Sequence, residues 1–555
     1  MRYGGNMMRN SRVRYKPCHS SGSQSDDMMC LLDKDETKCE HGASVVDREG
    51  QGALRALRAA GGHGNEQNRH SEAFGASFCV DRAEAEAATA RDVPLQPEHH
   101  RLVGLLDRWA EKGSAGMETF SVAVIGIGLM GSAACRHLSL ATGEKVVGIG
   151  PAEPEDWKSH AGVFASHYDQ GRITRIVDSN NIWSKLAARS IERYGLLERE
   201  SGIRFHYPVG SIRVSPNYKK DGDTLYLAKE VGRGNGAEAE LLPSREALQR
   251  RFPFFHFEDG DVGLIEKNGA GYINPREMVR AQLVVAAKQG ASIVRETVVD
   301  LECSTSGVKI RTDGGKCFLA TRVLIAADIY TKWLVPGRGL ALKTVSELVV
   351  LAEVGSDEEK RLQSMPSLIW RLNGEEPLHS VYACPPVKYP DGKTYLKIGG
   401  TWLQGSSGYR DAVLSSKEEI SHWFHSDGPR EEADHLLKVL KKLMPGLAIE
   451  SVHSKPCIVT YTAHNYPFID AVDGKPFQDA QVFVVTGGCG AAAKSADEIG
   501  RIAALLMEHR SWVYDLDASN FSAVYQSASS VGEQKYVNIE QPQSTAHTPP
   551  CVNKA

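Results

Sequence analysis

The sequence lacks several features that each define a protein class. It has no apolar run of about eighteen residues, which a membrane-spanning helix needs. Its 65 Lys and Arg residues nearly balance 69 Asp and Glu residues, so charge favours neither nucleic acid nor an anionic membrane as a partner. Eleven cysteines are scattered without a Cys-x-x-Cys pair, which predicts reduced thiols and no metal site.

The two ends of the chain differ in composition from the part between them. Residues 1–117 are rich in Arg, His, Ser, Gly and Ala, and we expect an N-terminal extension that is disordered or lies upstream of a start at Met117. The first acid is Asp26, and five basic residues precede it, so an organellar targeting peptide is the alternative to a cytoplasmic location. No apolar segment follows those basic residues, which argues against a secretory signal. Residues 524–555 form a second tail that we expect to be disordered.

The most informative segment is 122–134, VAVIGIGLMGSAA. A β-branched run leads into Gly126-x-Gly128-x-x-Gly131, and an apolar, helix-like stretch follows. Gly126 permits a sharp turn, Gly128 lets backbone N–H groups approach phosphates, and Gly131 lets the helix pack closely on the strand. The helix dipole also favours negative charge at this end. The segment therefore predicts a strand, a turn and a helix that bind a dinucleotide pyrophosphate.

Strand and helix patterns alternate between the tails, which predicts the α/β class with added strands. Predicted strands cover 121–125, 145–149, 294–302, 322–326, 342–354, 393–402 and 482–485, with Tyr382 on a shorter strand. Predicted helices cover 129–141, 182–200, a segment capped by Asn274 with Pro275 in its first turn, 431–443, and a segment from about Ala492.

Five segments in one order resemble the glycine/D-amino-acid oxidase superfamily of FAD enzymes, especially its branch of monomeric sarcosine and N-methyltryptophan oxidases. The resemblance covers roughly 118–510. The segments are the glycine loop, Ser166-His167 with Arg172-x-x-Arg175, Gly271-Tyr-Ile-Asn-Pro-Arg, Tyr395-Leu-Lys397-Ile-Gly-Gly, and Tyr461-Thr462 with Gly487-Gly488-Cys-Gly490-Ala-Ala-Ala-Lys494.

The resemblance implies an overall α+β protein with a Rossmann-like FAD-binding domain and a substrate domain built on a mixed or antiparallel sheet. The FAD-binding domain would be discontinuous, comprising 118–215, 265–335 and 455–512. The substrate domain would comprise 216–264 and 336–454.

FAD is the cofactor that the resemblance implies. The covalently flavinylated branch has a Cys where this chain has Val459, and Cys457 lies two residues further back. We therefore predict non-covalent FAD. The residues that the resemblance places at the cofactor are Gly126, Gly128, Leu129, Met130, Gly131, Ser132, Ser166, His167, Arg172, Val299, Gly487, Gly488, Gly490 and Lys494.

The resemblance also assigns roles to six residues as a catalytic set. Arg175 and Lys494 would hold the substrate carboxylate, since a guanidinium and an ammonium can bind one carboxylate together. Arg172 would lie over the flavin, and Lys397 would favour electron transfer to O2 because superoxide is an anion. Tyr461 and Tyr382 would line the substrate cavity. The simpler alternatives are solvent-exposed cations and ordinary core aromatics.

Three departures from the family pattern limit what can be transferred. Gly150 follows the second strand where the family has an acid for the ribose. Either Glu153, three residues further on, substitutes for that acid, or the ribose contact is lost. Gly171 and Thr401 replace a Thr and a His of sarcosine oxidases, which indicates a substrate other than sarcosine itself.

The function predicted from these features is oxidation of an amino acid or N-methylamino acid to an imine, with reoxidation by O2 to H2O2. A dehydrogenase that uses another acceptor, an NAD(P)-dependent hydroxyacid dehydrogenase and a flavin-binding protein without catalysis are the alternatives. Small-molecule substrates are the expected partners, and the oligomeric state is left open.

Overall fold

The computed structural model describes residues 117–526 except 142, 156–158, 217, 219–222, 336–338, 374–376 and 403–412. The predicted extension up to residue 116 and the predicted tail from residue 527 onward lie outside these residues. The expectation of disorder is wrong for 524–526, because Tyr525 forms an antiparallel bridge with Leu340. In chain order, the strands are β1 (Glu118–Ile125), β2 (Val146–Ile149), β3 (Arg172–Thr174), β4 (His206–Tyr207), β5 (Ser211–Ser215), β6 (Ala239–Leu242), β7 (Val262–Glu266), β8 (Gly271–Ile273), β9 (Ser292–Val294), β10 (Val298–Ser304), β11 (Gly307–Thr312), β12 (Cys317–Ile325), β13 (Leu342–Glu353), β14 (Ser367–Arg371), β15 (Leu378–Lys388), β16 (Thr394–Trp402), β17 (Ser451–Thr462), β18 (Phe468–Ala471) and β19 (Val482–Thr486).

The α-helices are α1 (Leu129–Leu140), α2 (Asn181–Ser201), α3 (Thr224–Gly234), α4 (Arg245–Arg251), α5 (Pro275–Lys288), α6 (Ser356–Arg361), α7 (Lys417–His425), α8 (Arg430–Leu443) and α9 (Ala496–His509). These bounds confirm the predicted α/β class and most predicted elements. None of the helices in the described part of the chain is long and apolar enough to cross a membrane.

The first sheet has a parallel core in the order β9-β2-β1-β12-β19, and β10, β11 and β18 pair antiparallel at its sides. Val122 and Val124 on β1 belong to the core that α1 and α9 share. Ala123 and Ile125 point into a second core on the other face. Burial on both faces explains why β1 reads as a continuous apolar run.

The glycine loop joins β1 to α1 as the sequence predicts. Gly126 has a φ of +88°, and Gly128 is the N-cap of α1 without a side-chain cap. A Cβ at residue 131 would lie 1.8 Å from the Gly126 carbonyl oxygen. The loop therefore has this shape because two backbone segments pass within contact distance of each other.

Replacing Gly131 with alanine will lower the free energy of unfolding by about 3 kcal/mol, because the added methyl group forces α1 away from β1. Gly234→Ala is the matched control, since a Cβ there meets nothing within 4 Å. Urea unfolding followed by circular dichroism measures both changes. Equal stability of the two variants would contradict the close-packing argument.

The second sheet has the order β17-β13-β16-β15-β14-β5-β7-β6. One of its faces packs on α8, where Leu436, Val439 and Leu440 are buried, and the opposite face lines a large cavity. A small third sheet, β3-β8-β4, carries Arg172 at the edge of this cavity. The strands of Tyr382 and Tyr461 both belong to the second sheet. The assignment of the chain to two discontinuous domains stays a prediction.

Four predicted elements differ from the structure. The strand predicted at 322–326 begins five residues earlier, at Cys317, and ends at Ile325. The predicted strand 294–302 is two strands, β9 and β10, because the chain changes its partner from β2 to β11 between them. The strand of Tyr382 is eleven residues long rather than short. The predicted helix from Ala492 begins as a 3-10 turn, Ala492–Ser495, and becomes α-helical only at Ala496, since left-handed backbone at Cys489 and Gly490 bends the chain just before it.

Candidate active site

A cavity of about 1870 Å³ lies between the carboxyl end of the parallel strands and the open face of the second sheet. Most residues predicted from the sequence line it: Gly126, Gly128, Leu129, Met130, Ser166, His167, Arg172, Arg175, Val299, Tyr382, Lys397, Tyr461, Gly488, Gly490 and Lys494. Gly131, Ser132 and Gly487 lie behind this lining. Ser132 donates to the Leu129 carbonyl oxygen at 3.3 Å, so it supports the loop from within the first turn of α1.

Beside the glycine loop, the side chain of His167 has a ring nitrogen without a protein hydrogen-bond partner. A Cβ at residue 128 would meet only the Nδ1 atom of His167, at 3.6 Å. That Nδ1 atom is buried without a hydrogen-bond partner. Burial, together with the charges of Arg276, Arg295 and Arg172, lowers the pKa of His167 to about 3, so the imidazole is neutral. The N-terminus of α1 and this imidazole therefore fit the phosphates of a dinucleotide.

The end of β2 does not offer a free carboxylate. Glu153 accepts hydrogen bonds from Arg276 at 2.6 to 3.0 Å through both of its oxygens. A Cβ at residue 150 would lie 2.8 Å from Cγ1 of Ile127, so no side chain fits at the strand end itself. Of the two readings left open by the sequence, the structure favours loss of the ribose-binding acid over its replacement by Glu153.

Arg175 and Lys494 come together from positions more than 300 residues apart in the chain. The Nη1 atom of Arg175 lies 3.2 Å from an Asp178 oxygen, and the Nζ atom of Lys494 lies 3.4 Å from the same oxygen. Lys494 is only 4% exposed, so the alternative of a solvent-exposed cation is wrong. The two cations converge on one carboxylate, as the carboxylate-binding role requires.

Asp178 is a member of this cluster that the sequence prediction missed. Burial acts to raise its pKa, but the charges of Arg175 and Lys494 outweigh burial and lower the pKa to about 2. Burial lowers the pKa of Lys494 to about 8, although the Asp178 charge opposes the change. Residues 175–178 are not helical, so the spacing of three between Arg175 and Asp178 gave no sign of an ion pair in the sequence.

Lys397 points into the cavity because its neighbours on β16 point the other way. Leu396 and Ile398 are buried in the core beneath the second sheet, so the alternation of the strand turns Lys397 to the opposite face. Its side chain is 3% exposed. The alternative of a lysine that simply points to solvent is therefore wrong.

Asp169 holds the ammonium of Lys397 and was also missed by sequence reasoning. The Nζ atom of Lys397 donates to Oδ2 of Asp169 at 2.8 Å and to the Gly171 carbonyl oxygen. Arg172 forms an ion pair with the same oxygen, and the Tyr389 hydroxyl donates to Oδ1 at 2.8 Å. Burial, followed by the charge of Arg172, lowers the pKa of Lys397 to about 7. The adjacent Asp169 carboxylate favours the charged ammonium.

The remaining predicted residues lie on the sheet side of the cavity. Tyr382 covers Gly399, where a Cβ would lie 2.4 Å from the tyrosine hydroxyl, and burial raises the pKa of Tyr382. Cys457, Val459 and Tyr461 are every second residue of β17, so their side chains lie on the same face of the strand, and all three line the cavity. The Sγ atom of Cys457 lies 3.9 Å from an Arg172 nitrogen.

Comparisons with known proteins identify the family of the chain and agree with its fold. The family model described as FAD dependent oxidoreductase matches residues 121–506. The monomeric sarcosine oxidase of Streptomyces avermitilis is 27% identical over 396 residues, covering 70% of this chain and 93% of that protein. The peroxisomal sarcosine oxidase of Mus musculus is 22% identical over 340 residues, covering 61% of this chain and 80% of that protein. The open form of NikD, an unusual amino acid oxidase essential for nikkomycin biosynthesis, matches with a TM-score of 0.57 at 18% identity, covering 74% of this chain and 98% of NikD.

Proposed function

Because the chain belongs to the FAD-dependent oxidoreductase family, we propose that it oxidises the carbon–nitrogen bond of an amino acid or N-methylamino acid. Its cofactor is FAD, which removes the nicotinamide-dependent alternative. Bound FAD supplies the acceptor for the hydride that leaves the substrate. The product of that step is an imine, which hydrolyses in water to a carbonyl compound and an amine or ammonia.

The residues of the chain that hold FAD in this proposal are those of the glycine loop and their neighbours. Gly126, Gly128, Leu129 and Met130 present the N-terminus of α1 to the pyrophosphate, and the unpartnered imidazole of His167 lies beside it. On the other side of the cavity, Gly488 and Gly490 leave space for the flavin ring because neither carries a side chain.

One observation supports this substrate class above all: Arg175 and Lys494 converge on a single carboxylate within the cavity. Asp178 contacts both cations, and in this proposal a substrate carboxylate competes with it for them. Tyr461 and Tyr382 line the same cavity. A neutral amine needs no protein base for this step. Its nitrogen already has a free lone pair, so loss of the hydride gives the protonated imine directly and no proton has to be removed first.

Lys397 supports O2 as the electron acceptor in this proposal. It is a buried ammonium on the cavity wall, and a fixed positive charge stabilises the superoxide anion formed by the first electron transfer. O2 then takes up two electrons and two protons in all to give H2O2. The negative charge of Asp169 partly cancels the electrostatic field of this ammonium in the cavity, which keeps a dehydrogenase with another acceptor as the second candidate. Comparing turnover in O2 with turnover in an artificial acceptor separates the two.

Anaerobic mixing with amino acids and N-methylamino acids tests the proposed reaction. A substrate will bleach the visible flavin band and form an imine-derived carbonyl product in equal amount. A panel of both enantiomers and their N-methyl derivatives is needed, because Gly171 and Thr401 indicate a substrate other than sarcosine. If no amine bleaches a fully FAD-loaded protein, whereas an added reductant does, the proposal is wrong.

Acid precipitation of the protein will release its flavin into the supernatant. Val459 cannot form a thioether, and we propose that Cys457, two residues further back along the strand, does not reach the same flavin carbon. Absorbance of the supernatant and of the redissolved pellet measures the two fractions. Flavin that stays in the wild-type pellet but leaves a Cys457→Ser pellet would identify that cysteine as a covalent anchor and contradict the prediction.

A further inference from the structure

Asp328 lies between the two loops that hold FAD in the proposed function. It follows β12, the strand that runs between β1 and β19 in the parallel core of the first sheet. The chain continues from β1 into the glycine loop and from β19 into Gly488 and Gly490. Because the carboxyl ends of parallel strands lie at one edge of a sheet, the residues that follow the middle strand lie between those two loops.

Contacts of the backbone on both sides fix the position of Asp328. A Cβ at residue 126 would lie 2.9 Å from the Cα atom of Ala327, so the chain just before Asp328 touches the glycine loop. On the other side, the Thr486 hydroxyl donates to the backbone carbonyl oxygen of Asp328 at 2.8 Å, and Thr486 is the last residue of β19. Asp328 itself is half-buried and lines the cavity.

An aspartate is a costly residue at this point of the chain. Asp328 has a φ of +48°, in the left-handed region where glycine is the least strained residue. Burial raises the pKa of its carboxyl group to about 6, although hydrogen bonds from the Thr460 hydroxyl and the Ile329 N–H group act in the opposite direction. The carboxyl group is therefore mostly ionised at neutral pH and only accepts hydrogen bonds. Strained residues of this kind cluster at ligand sites.

We propose that the Asp328 carboxylate binds hydroxyl groups of the ribityl chain of FAD. This inference rests on the proposed function for the positions of the pyrophosphate at the glycine loop and of the flavin ring at Gly488 and Gly490. The ribityl chain joins these two parts of FAD, so it passes the residues between the two loops. Its hydroxyl groups donate hydrogen bonds, and a carboxylate accepts them at about four lone-pair sites. Asp328 thereby supplies FAD with a carboxylate contact of the kind that the end of β2 lacks.

The affinity of the protein for FAD tests this contact. Asp328→Asn keeps the size of the side chain and suits left-handed backbone, but it removes the charge. Because a hydrogen bond to a charged group is stronger than one between neutral groups, FAD will bind about tenfold more weakly to this variant. Flavin fluorescence measures the dissociation constant and the rate at which the loaded protein releases FAD. Wild-type affinity in Asp328→Asn would overturn the proposal.

Asp470→Asn is the matched control for this substitution. Burial also raises the pKa of Asp470, and backbone N–H groups of Ala471 and Ala523 donate to its carboxylate, each at 2.8 Å. Asp470 is not among the described residues that line the cavity. Asp470→Asn will therefore bind FAD as tightly as the wild type does. A loss of affinity as large as that of Asp328→Asn would show a general effect of removing a buried carboxylate and would overturn the proposal.

FAD analogues that lack one ribityl hydroxyl group identify the partner of the carboxylate. The 2′-, 3′- and 4′-deoxyribityl forms are bound to the wild type and to Asp328→Gly, which removes the carboxyl group and suits the same backbone. At least one analogue will bind the wild type about tenfold to hundredfold more weakly than FAD does. In Asp328→Gly, that analogue and FAD will bind within about threefold of each other, because the contact is already lost.

Equal losses in the two proteins for all analogues would mean that the carboxylate acts on the fold rather than on the ribityl chain, and would overturn the proposal. Asp328→Asn replaces Asp328→Gly in this comparison if the glycine variant does not fold. If FAD and its analogues behave as expected but no amine bleaches the loaded protein, the ribityl contact stands and the proposed reaction is wrong. If amines are oxidised and Asp328→Gly binds FAD as tightly as the wild type, the reaction stands and the ribityl contact is wrong.

Discussion

Replacing Lys397 with methionine will slow reoxidation of the reduced enzyme by O2 about 10²- to 10³-fold, the usual effect of removing one preorganised electrostatic contact. Reduction of the enzyme by its substrate will change only a few-fold, because the ammonium acts on the anion formed from O2 rather than on the amine. Methionine keeps the length and burial of the side chain and removes its charge. Stopped-flow measurement of the two half-reactions separates the effects.

Lys393→Met is the matched control for this prediction. Lys393 precedes the same strand but pairs with Glu353 outside the cavity, so its loss will leave both half-reactions unchanged. Equal slowing of both half-reactions in Lys397→Met would show that the residue is structural and would favour the dehydrogenase alternative. Faster turnover with an artificial acceptor than with O2 in the wild type would lead to the same conclusion.

The pH dependence of reoxidation provides an independent check on Lys397. Burial lowers the pKa of this lysine to about 7, so its charge is present below that pH and lost as the pH rises through it. The reoxidation rate of the wild type will therefore fall with rising pH near neutrality. The fall will be smaller in Lys397→Met, where Lys455, whose pKa burial also lowers to about 7, is the lysine that still titrates beside Asp169. Asp169→Asn will move the midpoint to lower pH, since the neighbouring carboxylate favours the charged ammonium. A midpoint unaffected by Asp169→Asn would show that this carboxylate does not control the protonation of the lysine.

The second large effect concerns the carboxylate clamp, by which we mean Arg175 and Lys494, the two cations that contact Asp178. Arg175→Met or Lys494→Met will lower kcat/KM about 10²-fold, because removing one member of a buried charge pair costs about 2 to 5 kcal/mol. Asp178→Asn will act in the opposite direction on binding. A monocarboxylate such as acetate will bind more tightly to this variant, since the protein carboxylate no longer competes for the two cations.

Asp515→Asn is the matched control for the Asp178 variant. Asp515 is also an aspartate that contacts a lysine and an arginine, but it lies at the surface and far from the cavity lining. The affinity of Asp515→Asn for acetate, measured by calorimetry, will equal that of the wild type.

Thermal unfolding gives a second measurement. Acetate will stabilise Asp178→Asn more than it stabilises the wild type, because the ligand then pairs two otherwise uncompensated cations. Weaker acetate binding in Asp178→Asn would mean that the carboxylate supports the clamp rather than competing with a ligand.

Local patterns in the sequence determined much of the fold. The glycine spacing at 126, 128 and 131 permits only a tight strand-to-helix turn, because a side chain at residue 131 would collide with the backbone of residue 126. The cap at Asn274 and the apolar runs of β1 and β19 likewise depend on neighbours within one element. Such patterns work because helix and strand geometry repeat over a few residues. The division of 294–302 into two strands depends instead on strand pairing, since β9 pairs with β2 and β10 pairs with β11. A local sequence pattern does not predict these partners.

For the active site, the sequence identified the cations and the tertiary structure decided their partners. Arg175, Lys397 and Lys494 stand in recognisable motifs, so a resemblance located them. Asp169 and Asp178 were missed because a carboxylate becomes part of a site only when folding brings a buried cation to it, as it brings Lys494 to Asp178. Burial then sets the charge of these groups, because a buried ammonium remains charged only where a carboxylate compensates for the lost water.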